Sequence, residues 1–246
     1  GPWDTQIAVE VNEQGYPQEI PYDDGVNPPQ RVRTLMLWDI GDALPQGQYR
    51  LLAQGTGRIR LRFGADGLFD CPVDTLLEVN GGVALEIEES QAGDPVREIQ
   101  FIYPEYHDSF QDQTFTDEFL TFLEDFQTIR FMDWLRTNNS PVENWEERGR
   151  VDFFTQTYSN GVAWEYVIEL CNLTQKDAWI NIPHRADDDY IQQLAQRLHS
   201  ELDPERKLYL EYSNEVWNAQ FSQHQAAAAF AQDLGYTGPE SERAWK

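Results

Sequence analysis

The chain has 246 residues, of which 40% are hydrophobic and 13% aromatic, enough to bury the core of one large domain or of two smaller ones. Its 43 acidic residues outnumber the 18 basic ones, which gives a net charge of −25. Such a charge repels phosphate backbones and anionic lipids, so the composition argues against nucleic acid and membrane surfaces as partners.

The same composition bears on the compartment. The sequence contains no run of 18 apolar residues and no basic segment followed by an apolar one. It therefore predicts no membrane span, and any signal peptide is expected to have been removed, with Gly1-Pro2 as a candidate cleavage scar. An acidic surface suits a salty or extracellular setting, so we expect a secreted or extracellular protein.

Cys71 and Cys171 are predicted to be buried free thiols, with a bridge between them as the alternative.

Residues 1–103 have the pattern of an all-β domain. Short runs rich in β-branched and aromatic residues are bounded by Gly, Pro, Asn and Asp. In residues 57–63, Ile59, Leu61 and Phe63 alternate with arginines, which predicts a half-buried antiparallel strand. We expect a β-sandwich-like accessory domain. Its aromatic residues are interpreted as core, with sugar binding as the alternative, and they are Trp38, Tyr49, Phe63 and Phe69.

A polar, turn-rich linker is predicted at residues 104–113, and the pattern changes in residues 114–246. Here amphipathic helical stripes alternate with short apolar strands. The three predicted strands are "TIRFMDW" at 128–134, "AWINIPH" at 178–184 and "LYLEYSNE" at 208–215. This alternation predicts parallel strands joined by right-handed crossovers, and hence an α/β domain.

Polar and aromatic residues follow each of these strands, at the ends where parallel α/β folds place their active sites. The candidate site residues are Arg130, Trp134, His184, Tyr212, Asn214, Glu215 and Trp217. Glu215 in partly apolar surroundings suits a general acid, and the Asn214 amide offers a donor and an acceptor. Rings beside carboxylates suit a neutral polyhydroxylated ligand, so the expected partner is a carbohydrate, either a polysaccharide or an oligosaccharide.

The succession "IRFMDWL", "AWINIPH" and "LYLEYSNEVWN" resembles the second to fourth strands of the clan of retaining (β/α)8-barrel glycoside hydrolases, which includes many cellulases, xylanases and mannanases. The resemblance covers roughly residues 114–235. It implies part of a TIM barrel, with Glu215 as acid/base and Asn214 in contact with the sugar 2-hydroxyl. It also implies that Arg130 matches the arginine that closes the second strand, and that His184 lies where some members place a polar ring.

The chain departs from the clan in two respects. Val216-Trp217 stands where the clan has a proline after Asn-Glu. In addition, the clan's nucleophile is a second glutamate on the seventh strand, and residues 114–246 hold only strands two to four of the eight that a barrel needs. Retaining chemistry requires two carboxyl groups ~5 Å apart, so the nucleophile is expected outside this chain.

The resulting expectation is a retaining glycoside hydrolase acting on a β-linked polysaccharide. The alternative is a non-catalytic carbohydrate-binding or surface-assembly protein on a barrel-like scaffold. We predict no cofactor and no metal, because the sequence lacks nucleotide-binding loops and spaced metal ligands.

Purely structural interpretations of the same residues stay open. Glu215 is also compatible with a carboxylate at the start of a helix, where the helix dipole favours negative charge. Arg130 is also compatible with a structural ion pair to Asp133 or Glu211. The acidic run at 187–189 lacks the regular spacing of calcium ligands, so helix capping is its favoured interpretation.

Overall fold

The computed structural model describes residues 7–236, and the chain divides into two compact units, residues 1–114 and residues 115–246. The strands of the first unit are β1 (Val32–Met36), β2 (Gln48–Phe63), β3 (Gly67–Glu78), β4 (Val83–Ser90) and β5 (Arg97–Ile102). The second unit contains α1 (Asp117–Phe122), β6 (Thr128–Arg130), α2 (Trp164–Thr174), β7 (Asp177–Ile182), α3 (Asp188–Glu201), β8 (Leu208–Tyr212) and α4 (Ser222–Asp233).

The first unit is built on one five-stranded antiparallel sheet in the order β1-β4-β2-β3, with β5 also paired to β2. One edge of β2 pairs with β3, while its other edge pairs first with β5 and then, from Gly57 onwards, with β4. The change of partner follows an irregularity between Ala53 and Gly57. A Cβ at Gly57 would lie 2.0 Å from the carbonyl oxygen of Glu89, so only glycine allows the two backbones to approach this closely.

The buried face of this sheet follows the alternation seen in the sequence, except at its end. Ile59 and Leu61 are fully buried, as predicted. Phe63 was expected on the same face, and this prediction is wrong, because the residue is 69% exposed. Its φ of 73° takes the backbone out of the extended conformation, so the alternation of faces stops there.

The second unit is a small parallel sheet with helices. Its strand order is β6-β7-β8, and all neighbours are parallel. Ala178 and Ile180 of β7 belong to a hydrophobic core shared with α2 and α3. The alternate residue Trp179 points away from that core and is 39% exposed. At β7, therefore, one face of the sheet is covered by helices and the other carries polar and aromatic side chains.

The predicted fold class requires correction. Instead of a TIM-barrel segment behind a β-sandwich, the described residues form a mixed α/β protein with one antiparallel sheet and one three-stranded parallel sheet. Within residues 7–236 the parallel sheet does not close on itself, and β8 lies at its edge with Leu210 65% exposed. A barrel requires eight tilted strands, whereas each strand-helix unit was predicted from a local pattern that carries no information on closure.

An open apolar groove lies between α3 and β8. Its volume is about 710 Å³, and its lining includes Leu194, Leu198, Leu210 and Tyr212. Among the described residues no helix or strand covers it, which explains why the apolar side chains of β8 are exposed.

In residues 7–236, no helix combines the length and the apolar character that crossing a membrane would require.

Candidate functional site

The carboxyl ends of the three parallel strands meet at one edge of the sheet, where the predicted site residues follow them. After β8 the backbone adopts left-handed conformations at Ser213, with φ 52°, and at Glu215, with φ 44°. Non-glycine residues rarely adopt such angles, which cost roughly 1–3 kcal/mol each. The surrounding structure must therefore hold this turn, and with it the side chain of Asn214 between the two strained residues.

Three side chains fix Asn214, which is only 6% exposed. Arg130 Nη2 donates to Asn214 Oδ1 at 2.9 Å, and Asn214 Nδ2 donates to Asn138 Oδ1 at 3.0 Å. Gln223 Nε2 donates to the Asn214 carbonyl oxygen at 2.8 Å. The amide is thus held in one orientation, with one N–H and one lone pair of its side chain left for a ligand hydroxyl.

Gln223 and the loop after β6 complete this network. Gln223 is fully buried, and its amide also donates to Asn138 Oδ1 at 2.7 Å and accepts from the Asn139 N–H at 3.0 Å. Asn139 Oδ1 accepts from the Ser222 N–H at 2.8 Å, at the first residue of α4. Sequence reasoning missed these residues, although two adjacent asparagines in a loop after a strand are a usable signal.

Arg130 forms the ion pair to Glu211 that the sequence left open as one of its two interpretations. Its guanidinium forms a salt bridge with Glu211, at 2.8 Å from Nη2 to Oε2, with a second contact at 3.0 Å to Oε1. Trp179 Nε1 donates to the same Glu211 Oε2 at 2.8 Å, and the guanidinium carbon lies 5.1 Å from the Trp179 ring centroid. Since Arg130 also donates to Asn214, this structural ion pair positions a candidate site residue.

Glu215 is half-buried, and its Oε2 accepts a hydrogen bond from Asn218 Nδ2 at 2.9 Å. It forms no salt bridge among residues 7–236. The helix α4 begins only at Ser222, so Glu215 is not a carboxylate at a helix start. A turn follows instead, in which the Asn218 N–H donates to the Glu215 carbonyl oxygen at 2.8 Å. This arrangement leaves the carboxyl group without a salt-bridge partner among the described residues.

His184, Tyr212 and Trp217 lie around the same strand ends. His184 is 8% exposed, and burial together with the neighbouring Arg185 lowers its pKa, which favours the neutral imidazole. The Tyr212 hydroxyl donates to the His184 carbonyl oxygen at 3.0 Å, although the residue as a whole is 56% exposed. Trp217 is 59% exposed and can offer a ring face to a ligand.

Three buried polar atoms near these strand ends have no hydrogen-bond partner in the described structure: His184 Nδ1, Asn181 Oδ1 and Ser213 Oγ. Two of the residues that carry these atoms are in contact, because Asn181 Nδ2 donates to the Ser213 carbonyl oxygen at 2.7 Å. Unpaired buried polar groups are costly and call for water or a ligand. Asn181 interrupts the apolar run at residues 178–182, which is a signal visible in the sequence.

The remaining predicted site residue, Trp134, has packing contacts. Its ring stacks on Phe119, at a centroid distance of 5.8 Å, and on Phe115 at 6.4 Å. It lies against the hydrophobic core of the second unit.

The acidic run after β7 caps a helix. The Asp187 carboxylate accepts from the Tyr190 N–H at 2.7 Å as the N-cap of α3, which confirms the capping interpretation. Within residues 7–236 there is no group of three or more His, Cys, Asp or Glu side chains arranged to hold a metal ion.

Comparisons with protein-family models, with curated proteins and with solved structures found no match to this chain. The site geometry and the chemistry of its side chains therefore carry the functional argument.

Proposed function

We propose that this chain carries the acid/base of a glycoside hydrolase that acts with retention on a β-linked polysaccharide, and that Glu215 is this group. One observation carries the proposal: a half-buried carboxyl group lies in a left-handed turn at a strand end, next to an asparagine held by three side chains. Strained, over-determined positions of this kind are typical of functional sites.

The proposed reaction assigns a step to each group. Protonated Glu215 donates its proton to the glycosidic oxygen while the bond from that oxygen to the anomeric carbon breaks. In the second step Glu215 takes a proton from water as the water attacks the anomeric carbon. Asn214 holds a sugar hydroxyl with its remaining N–H and lone pair, and Arg130 keeps Asn214 in place.

Retention also requires a nucleophilic carboxylate ~5 Å from the acid/base. Glu211 is engaged by Arg130 and by Trp179, so we do not assign it this role. We therefore propose that the nucleophile lies outside this chain. We also propose that the protein is extracellular, because an acidic surface and a polysaccharide substrate are typical of that setting.

The test compares Glu215→Gln with the unchanged enzyme, both as the full-length natural protein. A positioned general acid contributes about 10²- to 10⁴-fold, so turnover of β-linked oligosaccharides should fall by that factor. Turnover of a dinitrophenyl glycoside should fall far less in the first step, because this leaving group departs without protonation. The control is Glu205→Gln, whose side chain is 81% exposed, and it should leave both rates unchanged. Full activity of Glu215→Gln on oligosaccharides would sink the proposal.

The second candidate function is non-catalytic carbohydrate binding, which is favoured by the exposed Trp217 ring and by the lack of an assigned nucleophile. Oligosaccharide binding measured by titration calorimetry, without release of reducing ends by the full-length protein, would select it. Release of reducing ends would exclude it.

A further inference from the structure

Two exposed aromatic rings lie together on the first unit. Trp38 is 49% exposed and Phe63 is 69% exposed, although large apolar side chains usually pack inside. Their ring centroids are 5.5 Å apart, at an interplanar angle of 73°. Met36 of β1 and Phe63 of β2 both pair with Val83 of β4, so the rings extend from the point where three neighbouring strands meet.

The backbone around these rings is strained. Leu37 and Asp39 on either side of Trp38 have φ values of 55° and 61°, and Phe63 has a φ of 73°. Left-handed conformations are uncommon for residues with side chains, and for bulky ones they are outliers. Without its left-handed φ, Phe63 would continue the alternation of β2 and enter the core. The fold therefore exposes the Phe63 ring at the cost of a strained backbone conformation.

The Trp38 ring packs against the backbone of Gly82. A Cβ on Gly82 would lie 2.4 Å from Cε3 of Trp38, so the indole rests directly on the glycine backbone. With Phe63 beside it, the indole is held in place while about half of the residue stays accessible. The two other aromatic residues considered with them behave differently, since Tyr49 is fully buried and Phe69 packs against the core.

We propose that Trp38 and Phe63 form a saccharide-binding platform that takes a neutral β-linked glycan chain. Sugar rings expose apolar C–H faces that stack on aromatic faces, while their hydroxyls need polar partners. Asp39 follows Trp38 in the chain and Asn80 lies two residues before Gly82, and both are exposed polar residues that could supply such partners. The platform rests on the proposed carbohydrate function and adds a second binding site, on the other unit from Glu215.

Other ligands fit this surface less well. The net charge of −25 disfavours anionic lipids, nucleic acids and anionic sugars. Two half-exposed rings offer roughly 250 Å², whereas a stable protein interface needs about 800 Å² from each partner. A ligand only a few sugar rings wide matches the size of the patch.

The test is native affinity electrophoresis of the whole chain in gels that contain hydroxyethylcellulose, soluble xylan or glucomannan. At least one of these polymers should retard the unchanged protein. Trp38→Ala and Phe63→Ala should each weaken the affinity about fivefold or more, as expected when a stacking ring is removed. Trp38→Tyr keeps a ring and should retain most of the retardation. The control is Phe122→Ala, which removes an exposed aromatic residue of the second unit and should have no effect.

Gly82→Ala tests whether the position of the indole matters, because the added methyl group displaces the indole and leaves both rings in the protein. It should also reduce retardation, and it decides the matter if Trp38→Ala does not fold. Retardation of Trp38→Ala and Gly82→Ala equal to that of the unchanged protein would overturn the proposal, as would the absence of retardation in all three gels. A dimer in sedimentation that Trp38→Ala converts to a monomer would overturn it in favour of self-association.

The proposed catalysis and the proposed platform can be tested independently of each other. Trp38→Ala should leave turnover of a soluble aryl glycoside unchanged, and Glu215→Gln should leave retardation unchanged. Retardation that depends on Trp38, without any hydrolysis by the full-length natural protein, would reject the enzyme and keep the platform. Hydrolysis that depends on Glu215, without retardation, would reject the platform alone.

Discussion

Gln223 is a fully buried residue that helps to fix the geometry of the candidate site. Its side chain amide contacts both asparagines of the loop after β6 and the backbone of Asn214. It therefore joins α4 to the turn that carries Glu215. In the proposed reaction, a side chain of this kind would act only through the residues that it positions.

Gln223→Met keeps the approximate size of the side chain but removes its three hydrogen bonds. The Asn139 N–H and the Asn214 carbonyl oxygen would then lose a partner, at a cost of about 3 kcal/mol in the free energy of unfolding. Urea unfolding measures this, with Gln220→Met as the control on an exposed glutamine. Equal unfolding free energies for the two variants would show that the network contributes nothing to stability.

His184 makes stability depend on pH, because burial and Arg185 lower its pKa in the folded protein. The unfolded chain takes up a proton on this imidazole below about pH 6.5, whereas the folded protein keeps it neutral to a lower pH. The unfolded state then binds more protons. The stability contributed by neutral His184 is therefore complete above the unfolded pKa and is lost as the pH falls below it.

His184→Gln removes this dependence. The free energy of unfolding of the unchanged protein, minus that of the variant, should become smaller as the pH falls from about 7.5 to about 5. Denaturant unfolding at several pH values measures the difference. Parallel pH profiles for the two proteins would contradict the argument.

At the scale of the elements, the caps and glycines decide where helices and strands begin and change partners. The α3 helix starts at Asp187 because its carboxylate accepts from the Tyr190 N–H, one of the backbone donors without a helical partner. In β2, the switch from β5 to β4 depends on Gly57, whose neighbour Glu89 leaves no room for a Cβ. The first device sets where a helix begins, and the second sets which neighbour a strand pairs with.

Asp187→Ala should lower the free energy of unfolding by about 1 kcal/mol, because the N-cap hydrogen bond is lost. Asp187→Asn retains an acceptor and should cost only a fraction of this. The matched control is Asp188→Ala, one position later, which removes an exposed first-turn carboxylate and should cost a few tenths of a kcal/mol through the helix dipole. A loss at Asp188 as large as that at Asp187 would show that charge, not capping, matters here.

At the scale of the whole molecule, the net charge is the dominant feature. The excess of acidic residues creates repulsion within the folded chain that no single ion pair offsets. Exposed ion pairs such as Arg50–Asp74 contribute little, since water and salt screen them. The folded state should therefore respond to ionic strength through its net charge.

Raising NaCl from about 0.1 M to about 1 M shortens the Debye length from about 10 Å to about 3 Å. Because screening weakens the internal repulsion more than it weakens the few surface ion pairs, the midpoint of thermal unfolding should rise by several degrees. KCl should act as NaCl does, since screening depends on ionic strength. A midpoint that falls with both salts would show that attractive pairs dominate.

Local patterns in the sequence predicted much of the second unit and part of the first. The three parallel strands, the helices between them and the capping role of Asp187 follow from period, polarity and hydrogen-bonding chemistry within short windows. The positions of Asn214 and Glu215 at a strand end follow in the same way. The barrel and the sandwich were wrong, because closure and sheet number depend on strands that pair over long distances.

By itself, the sequence determined the charge, the classes of partner that this charge disfavours, and the residues at the ends of the strands. Only the tertiary structure decided which of those residues meet. Arg130 and Asn214 are 84 residues apart in the chain and share a hydrogen bond, and Phe63 turns outward although its alternation pointed inward. The physical reason is range: periodicity and capping act over a few residues, whereas side-chain contacts and backbone strain are settled by the packing of distant segments.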